Sequence, residues 1–175
     1  YSTRTLEEAF SAESGAVSSY NKDEKGNPYV QFFGADDFLL ESMEAVEGSI
    51  DWETMKRGGY VLYGLACDDK GNVIDNPAIQ PGDTLRFHHV TKDGLNRILD
   101  STFDLTVMAK VRINENTDTT RNTGEARFYL PTEQFLPLCR NPHMVSYPFN
   151  VKDGAEADME AFLSSYVEDV EPRMN

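Results

Sequence analysis

The three histidines are the side chains of this sequence whose chemistry best suits metal binding or proton transfer near neutral pH. His88 and His89 are adjacent, in a segment whose alternating pattern predicts a strand, and His143 lies far along the chain. Neighbouring strand residues point to opposite faces of a sheet, so His88 and His89 cannot bind one ion together, and His143 has no ligand-like spacing to either. We therefore interpret all three as structural or surface residues.

Carboxylates are the other abundant reactive groups, with 30 acidic residues against 16 basic ones. The segment Asp68–Asp75, DDKGNVID, has the composition of a calcium loop but lacks the glycine and glutamate spacing of an EF-hand. A glycosidase-like pair could be formed by folding from many of these carboxylates, yet no motif selects one. The sequence thus assigns no metal site and no acid pair.

The patterns of common catalytic and nucleotide-binding sites are missing. There is no Gly-x-Ser-x-Gly sequence and no cysteine–histidine pairing signature. Gly58 and Gly59 lack the lysine of a phosphate-binding loop and the Rossmann spacing. We predict a protein that is not an enzyme, with no catalytic, cofactor-binding or metal-binding residue and with its partner-binding residues unassigned. A carboxylate-based hydrolase is an alternative that would require a deep acidic cleft with displaced pKa values.

The charge of the chain limits its partners. The net charge of −14 argues against nucleic acid or an anionic membrane surface as a direct partner. From Asp153 to Glu171 there are seven acidic and no basic residues, whereas from Arg86 to Arg127 there are seven basic and six acidic ones. A cationic peptide is electrostatically allowed as a partner, although a solvated surface explains the same charges.

Two cysteines, Cys67 and Cys139, are compatible with one disulfide or with two buried thiols. Each has apolar neighbours in the sequence, which favours buried thiols. The sequence does not decide between the two states.

The segment Tyr29–Tyr63 contains the densest signals for secondary structure. A β-rich run ends at Gly34, and Asp36 or Asp37 can cap a following helix. This helix is predicted to run to Gly48 with an apolar stripe of Leu39, Leu40, Met43 and Val46. Asp51 can cap a second short helix that ends at Gly58 and Gly59, before a strand over Tyr60–Tyr63. The seven carboxylates of the segment are expected to face water.

Alternation predicts the strands that follow. A strand begins near Gly82, and Phe103–Ile113 alternates without a break, which predicts a strand about 36 Å long. The polar run Asn114–Gly124 is predicted to be an exposed hairpin tip, and Glu125–Leu130 to return as the partner strand. The polar tip and the acidic helices are candidate partner surfaces.

The C-terminal part reads as a short helix from Pro131 to Leu138, a strand within Met144–Val151 and a last helix capped by Asp153. The last helix has one apolar stripe, made of Met159, Phe162, Leu163, Tyr166, Val167 and Val170. We expect this stripe and that of the helix after Gly34 to pack on a common sheet, so that Phe162 is buried.

Several motifs of this sequence occur in a fixed order. In Tyr29–Tyr63 they are Gly34-Ala35-Asp36, Glu47-Gly48-x-Ile50-Asp51 and Gly58-x-Tyr60-Val61-Leu62. Later ones are Gly82-Asp83-Thr84-Leu85, the strand Phe103–Ile113, Tyr129-Leu130-Pro131-x-x-x-Phe135, and Phe149–Gly154 before an acidic helix. Over roughly Tyr29–Met174 this order resembles the extracytoplasmic domain of MacB/FtsX-type ABC transporter permeases.

The resemblance implies an α+β fold with a mixed or antiparallel sheet, helices packed on one face and a β-rich inserted lobe. The core lobe would comprise residues 16–66 and 126–172, and the insertion residues 67–125. Such a domain lies on the outer face of a bacterial membrane, between the first two transmembrane helices, and has no active site or cofactor. It couples ATP hydrolysis on a cytoplasmic subunit or domain to export or to an outer partner, such as a peptide, antibiotic, lipoprotein or cell-wall hydrolase.

The chain itself offers no membrane-spanning segment, because its longest nearly apolar run, Tyr60–Cys67, has eight residues against the roughly 20 that a spanning helix needs. It has no initiator methionine or signal peptide at Tyr1, so we expect a preceding segment. A stand-alone secreted or lipid-anchored binding module is the alternative function, and the sequence flanking this segment discriminates the two.

Overall fold

A computed structural model of the chain describes residues 3–10, 30–67, 72–113, 126–139 and 151–166. The chain divides into two units, Tyr1–His143 and Met144–Asn175. The sequence also predicts a strand at Val17–Tyr20. This segment, the hairpin tip Asn114–Gly124 and most of the predicted strand within Met144–Val151 lie outside the described residues.

The first unit alternates short helices with strands. Its elements are β1 (Arg4–Thr5), α1 (Leu6–Ala9), β2 (Val30–Ala35), α2 (Asp37–Glu41), β3 (Met43–Gly48), α3 (Trp52–Arg57), β4 (Tyr60–Gly64), β5 (Ala66–Cys67), β6 (Val73–Ile74), β7 (Thr84–Lys92), β8 (Ile98–Ile113), β9 (Ala126–Pro131) and α4 (Thr132–Leu138). The described part of the second unit contains α5 (Glu156–Tyr166).

A seven-stranded mixed sheet forms the centre of the first unit, in the order β1-β7-β8-β4-β9-β2, with β3 paired to β8. The pairs β1/β7, β4/β8 and β2/β9 are parallel, and the pairs β7/β8, β3/β8 and β4/β9 are antiparallel. The predicted α+β class with a mixed sheet is therefore confirmed. Strands from the predicted core lobe and from the predicted insertion are neighbours in this one sheet, and the lobe boundaries stay a prediction.

Strand β8 is long enough to pair along both of its edges. On one edge β7 pairs with its first part, from Ile98 to Thr106, and β3 with its second part, from Ala109 to Ile113. Strand β4 pairs along the opposite edge from Thr106 to Val111. Strands β7 and β3 therefore follow one another along the same edge of β8.

Aromatic side chains fill much of the core. The Phe32 ring lies 5.1 Å from that of Phe87, 5.6 Å from that of Phe103 and 5.7 Å from that of Phe135, measured between centroids. These contacts join β2, β7, β8 and α4. Strand β4 is central, since Val61, Leu62 and Tyr63 are each 0% exposed. Burial of such side chains is the main favourable term in folding.

The helix predicted from Asp36 to Gly48 is wrong beyond Glu41. Helix α2 ends there, and Met43–Gly48 forms β3 instead. The reason is the free edge of β8, whose N–H and C=O groups need partners that β3 supplies. Of the predicted stripe, Met43 is buried but Val46 is 55% exposed. Gly48 does take a left-handed backbone, with φ +83°.

The partner predicted for the Glu125–Leu130 strand is also wrong. Strand β9 pairs with β4 and β2, and β4 separates it from β8. The central position of β4 explains the difference, because an apolar strand that is buried on both faces belongs inside a sheet.

Three local predictions in the first unit are confirmed. The Asp51 side chain accepts a hydrogen bond from the Thr54 N–H and so caps α3, which ends at Gly58. The strand at Tyr60–Tyr63 is β4, and the helix after Pro131 is α4. Signals within each segment, such as the cap of α3 and the proline before α4, indicated these elements, so the sequence predicted them correctly.

The last predicted helix is present as α5 in the second unit. Its Phe162 is 56% exposed, so the prediction that this side chain is buried is wrong. Period-3.6 spacing identifies a face of a helix but not whether another element covers it.

Candidate functional site

The described histidines do not take part in any cluster that could bind a metal ion. His88 lies on β7, with its Nε2 2.8 Å from Oδ1 of Asp100 on β8, and both side chains are more than half exposed. His89 is partly buried, and His143 lies outside the described residues. Within the described ranges, no group of three or more His, Cys, Asp or Glu residues could hold a metal ion.

The seven carboxylates between Tyr29 and Tyr63 are all exposed, as the sequence predicts. They are Asp36, Asp37, Glu41, Glu44, Glu47, Asp51 and Glu53. Hydrogen bonds from Thr54 lower the pKa of the Asp51 carboxyl, which fits its role as the cap of α3. These residues form a solvent-exposed surface. Two of them, Glu44 and Glu47, form ion pairs between β3 and β8.

Cys139 carries a free and buried thiol, so the alternative of a disulfide with Cys67 is not realised. Burial raises the pKa of the Cys139 thiol to about 11. A thiol in this environment is largely protonated at neutral pH and is a poor nucleophile.

A buried lysine forms the most unusual electrostatic feature of the sheet. The Lys110 side chain is 1% exposed, and its Nζ lies 2.9 Å from Oε2 of Glu47 and 2.9 Å from Oδ1 of Asp75. It also donates to the Asn76 carbonyl oxygen at 3.4 Å. The two carboxylates are about half exposed, so their negative charges compensate the buried ammonium while solvent reaches the carboxylates themselves.

Three separate parts of the chain position this cluster. Glu47 lies on β3, Lys110 on β8, and Asp75 follows β6. On the same strand pair, Arg112 donates to Oε2 of Glu44 at 2.5 Å. The ion pairs thus fasten β3 and the loop at Asp75 to β8.

Strand β3 is the edge that this cluster holds in place. Its pairing with β8 shifts by one residue between Ala45 and Glu47, which leaves Val46 in a bulge. All its residues after Met43 are exposed, and among the described strands it pairs with β8 alone. We call Glu44–Glu47 the acidic edge. Exposed strand edges can pair with a further chain, and acidic residues there favour a cationic one.

Sequence reasoning missed both the edge strand and the buried lysine. The alternation of Phe103–Ile113 assigns Lys110 to the polar face, although no solvent reaches it there. The one available signal was its position between Ala109 and Val111 in a strongly apolar run. The acidic partners of Lys110, Glu47 and Asp75, lie far away in the sequence, so residue spacing does not reveal these ion pairs.

Comparison of this chain with protein-family models, with curated proteins and with solved structures found no match. In the part of the chain that the structure describes, no helix has the length and apolar character needed to cross a membrane.

Proposed function

We propose that this chain is the extracytoplasmic domain of an ABC transporter permease of the MacB/FtsX type. It has no catalytic role of its own. It transmits conformational change, driven by ATP hydrolysis on the cytoplasmic side, to a substrate or partner outside the membrane. Its contact surface for that partner is the acidic edge of β3.

The observation that carries this proposal is the meeting of two motifs on which the resemblance rests. Thr132 donates from its Oγ1 to Oδ1 of Asp36 at 2.9 Å, across 96 positions of sequence. A Cβ atom added to Gly34 would lie 2.8 Å from the Phe135 side chain, which is closer than real Cβ contacts. Gly34-Ala35-Asp36 and the Pro131–Phe135 turn are therefore in direct contact. This contact supports the interpretation that both belong to one family pattern.

The remaining motifs of the first segment also occupy turning points of the chain. Gly48 and Asp51 connect β3 to α3, and Gly58 connects α3 to β4. Residues that set chain direction are constrained by geometry, so their order and spacing carry more weight than a similar number of surface residues would.

The coding sequence on either side of this segment tests the proposal. The permease function requires apolar runs of roughly 20 residues just before Tyr1 and shortly after Asn175. The full-length product should then fractionate with membranes in carbonate buffer, with this domain cleaved by protease from the outside of intact cells. A single leader or lipid-anchoring sequence with no second apolar run would instead indicate a stand-alone secreted or lipid-anchored binding module.

Binding at the acidic edge is tested by titration with a cationic antimicrobial peptide at low and high salt. An electrostatic contact weakens as the ionic strength rises, because salt screens exposed charges. Glu44→Gln should weaken binding, whereas Glu53→Gln, an equally exposed change on α3, should not. Binding that is absent, insensitive to salt or equally affected by both variants would exclude the acidic edge as the contact surface.

A further inference from the structure

The hairpin of β7 and β8 extends well past the rest of the sheet. Strand β1 pairs with β7 only at Leu85 and Arg86, and β4 pairs with β8 from Thr106 onward. The five residue pairs from His88–Thr102 to Lys92–Ile98 therefore have no third strand among the described residues. At about 3.3 Å per residue they span roughly 16 Å. We call residues 88–102 the hairpin arm.

The end of the hairpin arm exposes three aliphatic side chains. Val90 is 54% exposed, Leu95 75% and Ile98 70%. Ile98 pairs with Lys92 and Val90 with Asp100, so Val90 and Ile98 are diagonal neighbours on the same face of the arm. Exposed aliphatic residues scattered singly are ordinary, but a group at the end of a protruding hairpin calls for a contact.

Four N–H groups of the turn at this end have hydrogen-bond partners within the turn. Oδ1 of Asp93 accepts from the N–H of Leu95 and of Arg97, at 2.9 Å each. The N–H of Asp93 donates to the Arg97 carbonyl, and that of Asn96 to the Asp93 carbonyl, both at 3.0 Å. Bonded N–H groups can leave water at little cost, which is the requirement for entering an apolar phase.

Two basic residues at the turn also favour a contact with phospholipid, while the one acidic residue on the face of Val90 and Ile98, Asp100, lies 2.8 Å from the His88 ring. The Arg97 guanidinium donates from Nε to Oδ2 of Asp93 at 2.6 Å, so the one carboxylate of the turn is neutralised by its neighbour. Lys92 adds a further positive charge on an exposed stem at the same level as Ile98. Long basic side chains keep their charged ends in water or near lipid phosphates while their stems cover apolar surface.

We propose that the end of the hairpin arm inserts shallowly into the surface of a phospholipid bilayer. Leu95, Ile98 and Val90 enter the boundary between headgroups and acyl chains, and Lys92 and Arg97 remain at the level of the phosphates. A protein partner fits less well, because three aliphatic side chains cover far less than the roughly 800 Å² per partner of a stable interface. Aromatic hot-spot residues are also lacking at this turn.

This contact is local and weak, and it holds whether or not the chain is part of a permease. The net charge of −14 repels anionic lipid at long range, so zwitterionic vesicles are the appropriate probe. A few aliphatic side chains bind a bilayer no more tightly than a single acyl chain does, so the lipid must be present at millimolar concentration.

Co-sedimentation of the 175-residue chain with phosphatidylcholine vesicles tests the proposal. We expect the wild-type chain to sediment, and the double variant Leu95→Asp/Ile98→Asp to lose about tenfold or more in its partition coefficient. Leu136→Asp is the matched control, since Leu136 is a 53% exposed leucine on α4. It should sediment like the wild type. Circular dichroism should give one melting temperature for all three proteins.

Two results would overturn the proposal. One is a wild-type chain that stays in the supernatant at millimolar lipid, or that sediments no better than the double variant. The other is self-association of the wild-type chain in analytical ultracentrifugation that Leu95→Asp abolishes, which would make a second copy the occupant of this surface.

Discussion

Nζ of Lys110 lies 2.9 Å from Oδ1 of Asp75, although the lysine side chain is 1% exposed and the aspartate side chain is 52% exposed. A charge in this position is stable only because carboxylates reach it from outside the core. Removing a partner from such a charge costs more than forming the pair gains, since the buried ion keeps its desolvation penalty. The ion pairs around Lys110 therefore add little net stability when they form, but losing the carboxylates would destabilise the pairing of β3 with β8.

We predict that the double variant Glu47→Gln/Asp75→Asn lowers the free energy of unfolding by about 2 kcal/mol. This is less than the loss for a fully enclosed pair, because both carboxylates are half exposed and screened by solvent. Adding Lys110→Met should restore most of the loss, since methionine fills a similar volume without a charge. Urea denaturation measures all three proteins, and a triple variant no more stable than the double one would contradict the prediction.

Gly48 should tolerate alanine worse than Gly82 does. Both have a left-handed backbone, with φ of +83° and +93°. A Cβ on Gly48 would lie 2.7 Å from the Met108 carbonyl oxygen, whereas one on Gly82 would meet nothing within 4 Å. We expect Gly82→Ala to cost about 1 kcal/mol from backbone strain alone and Gly48→Ala about 3 kcal/mol. If the two variants had equal midpoints of unfolding in urea, the prediction would be wrong, and the backbone of β8 would have to shift to accommodate the added methyl group.

Phe128 and Phe162 provide a matched test of where the core lies. Phe128 is 0% exposed on β9, and Phe162 is 56% exposed on α5. Phe128→Ala should lower the free energy of unfolding of the first unit by about 3–5 kcal/mol through the cavity that it leaves. Phe162→Ala should cost clearly less, because more than half of this side chain is exposed to solvent. A loss in thermal denaturation as large as that of Phe128→Ala would contradict the prediction.

Alkylation should report the protonation of the buried thiol. In a Cys67→Ser background, we expect iodoacetamide to modify Cys139 slowly in the native protein at pH 8 and rapidly in urea, because the thiolate is the reactive form. Equal rates in the two conditions, followed by mass spectrometry, would contradict the burial of this thiol.

The same thiol should make stability depend on pH. Burial raises the pKa of Cys139 to about 11, while an unfolded cysteine has a pKa of roughly 8.5. Between these values the folded state holds a proton that the unfolded state has lost. The contribution is therefore fully present below about pH 8.5 and is lost as the pH rises toward 11, by up to about 1.4 kcal/mol per pH unit. Comparison with Cys139→Ala from pH 8 to pH 10.5 isolates it from other titrating groups.

Residues that act locally were predicted well from the sequence. The cap by Asp51 and the strand that includes Phe103–Ile113 each depend on neighbours within a few positions. The assignment of Met43–Gly48 failed because its residues match a helical stripe as well as a strand. Its state was decided by the unpaired edge of β8, some 65 positions away in sequence.

The sequence by itself determined the strongly alternating strand, the cap of α3 by Asp51 and the acidic, solvent-exposed character of the Tyr29–Tyr63 segment. These follow from side-chain period, backbone preference and charge, which are properties of short stretches. Only the tertiary structure decided that β4 separates β8 from β9, that Glu47 and Asp75 meet at Lys110, and that aliphatic side chains collect at the end of the hairpin arm. Such features depend on strand order and register, which bring distant residues together through hydrogen-bond pairing across the sheet.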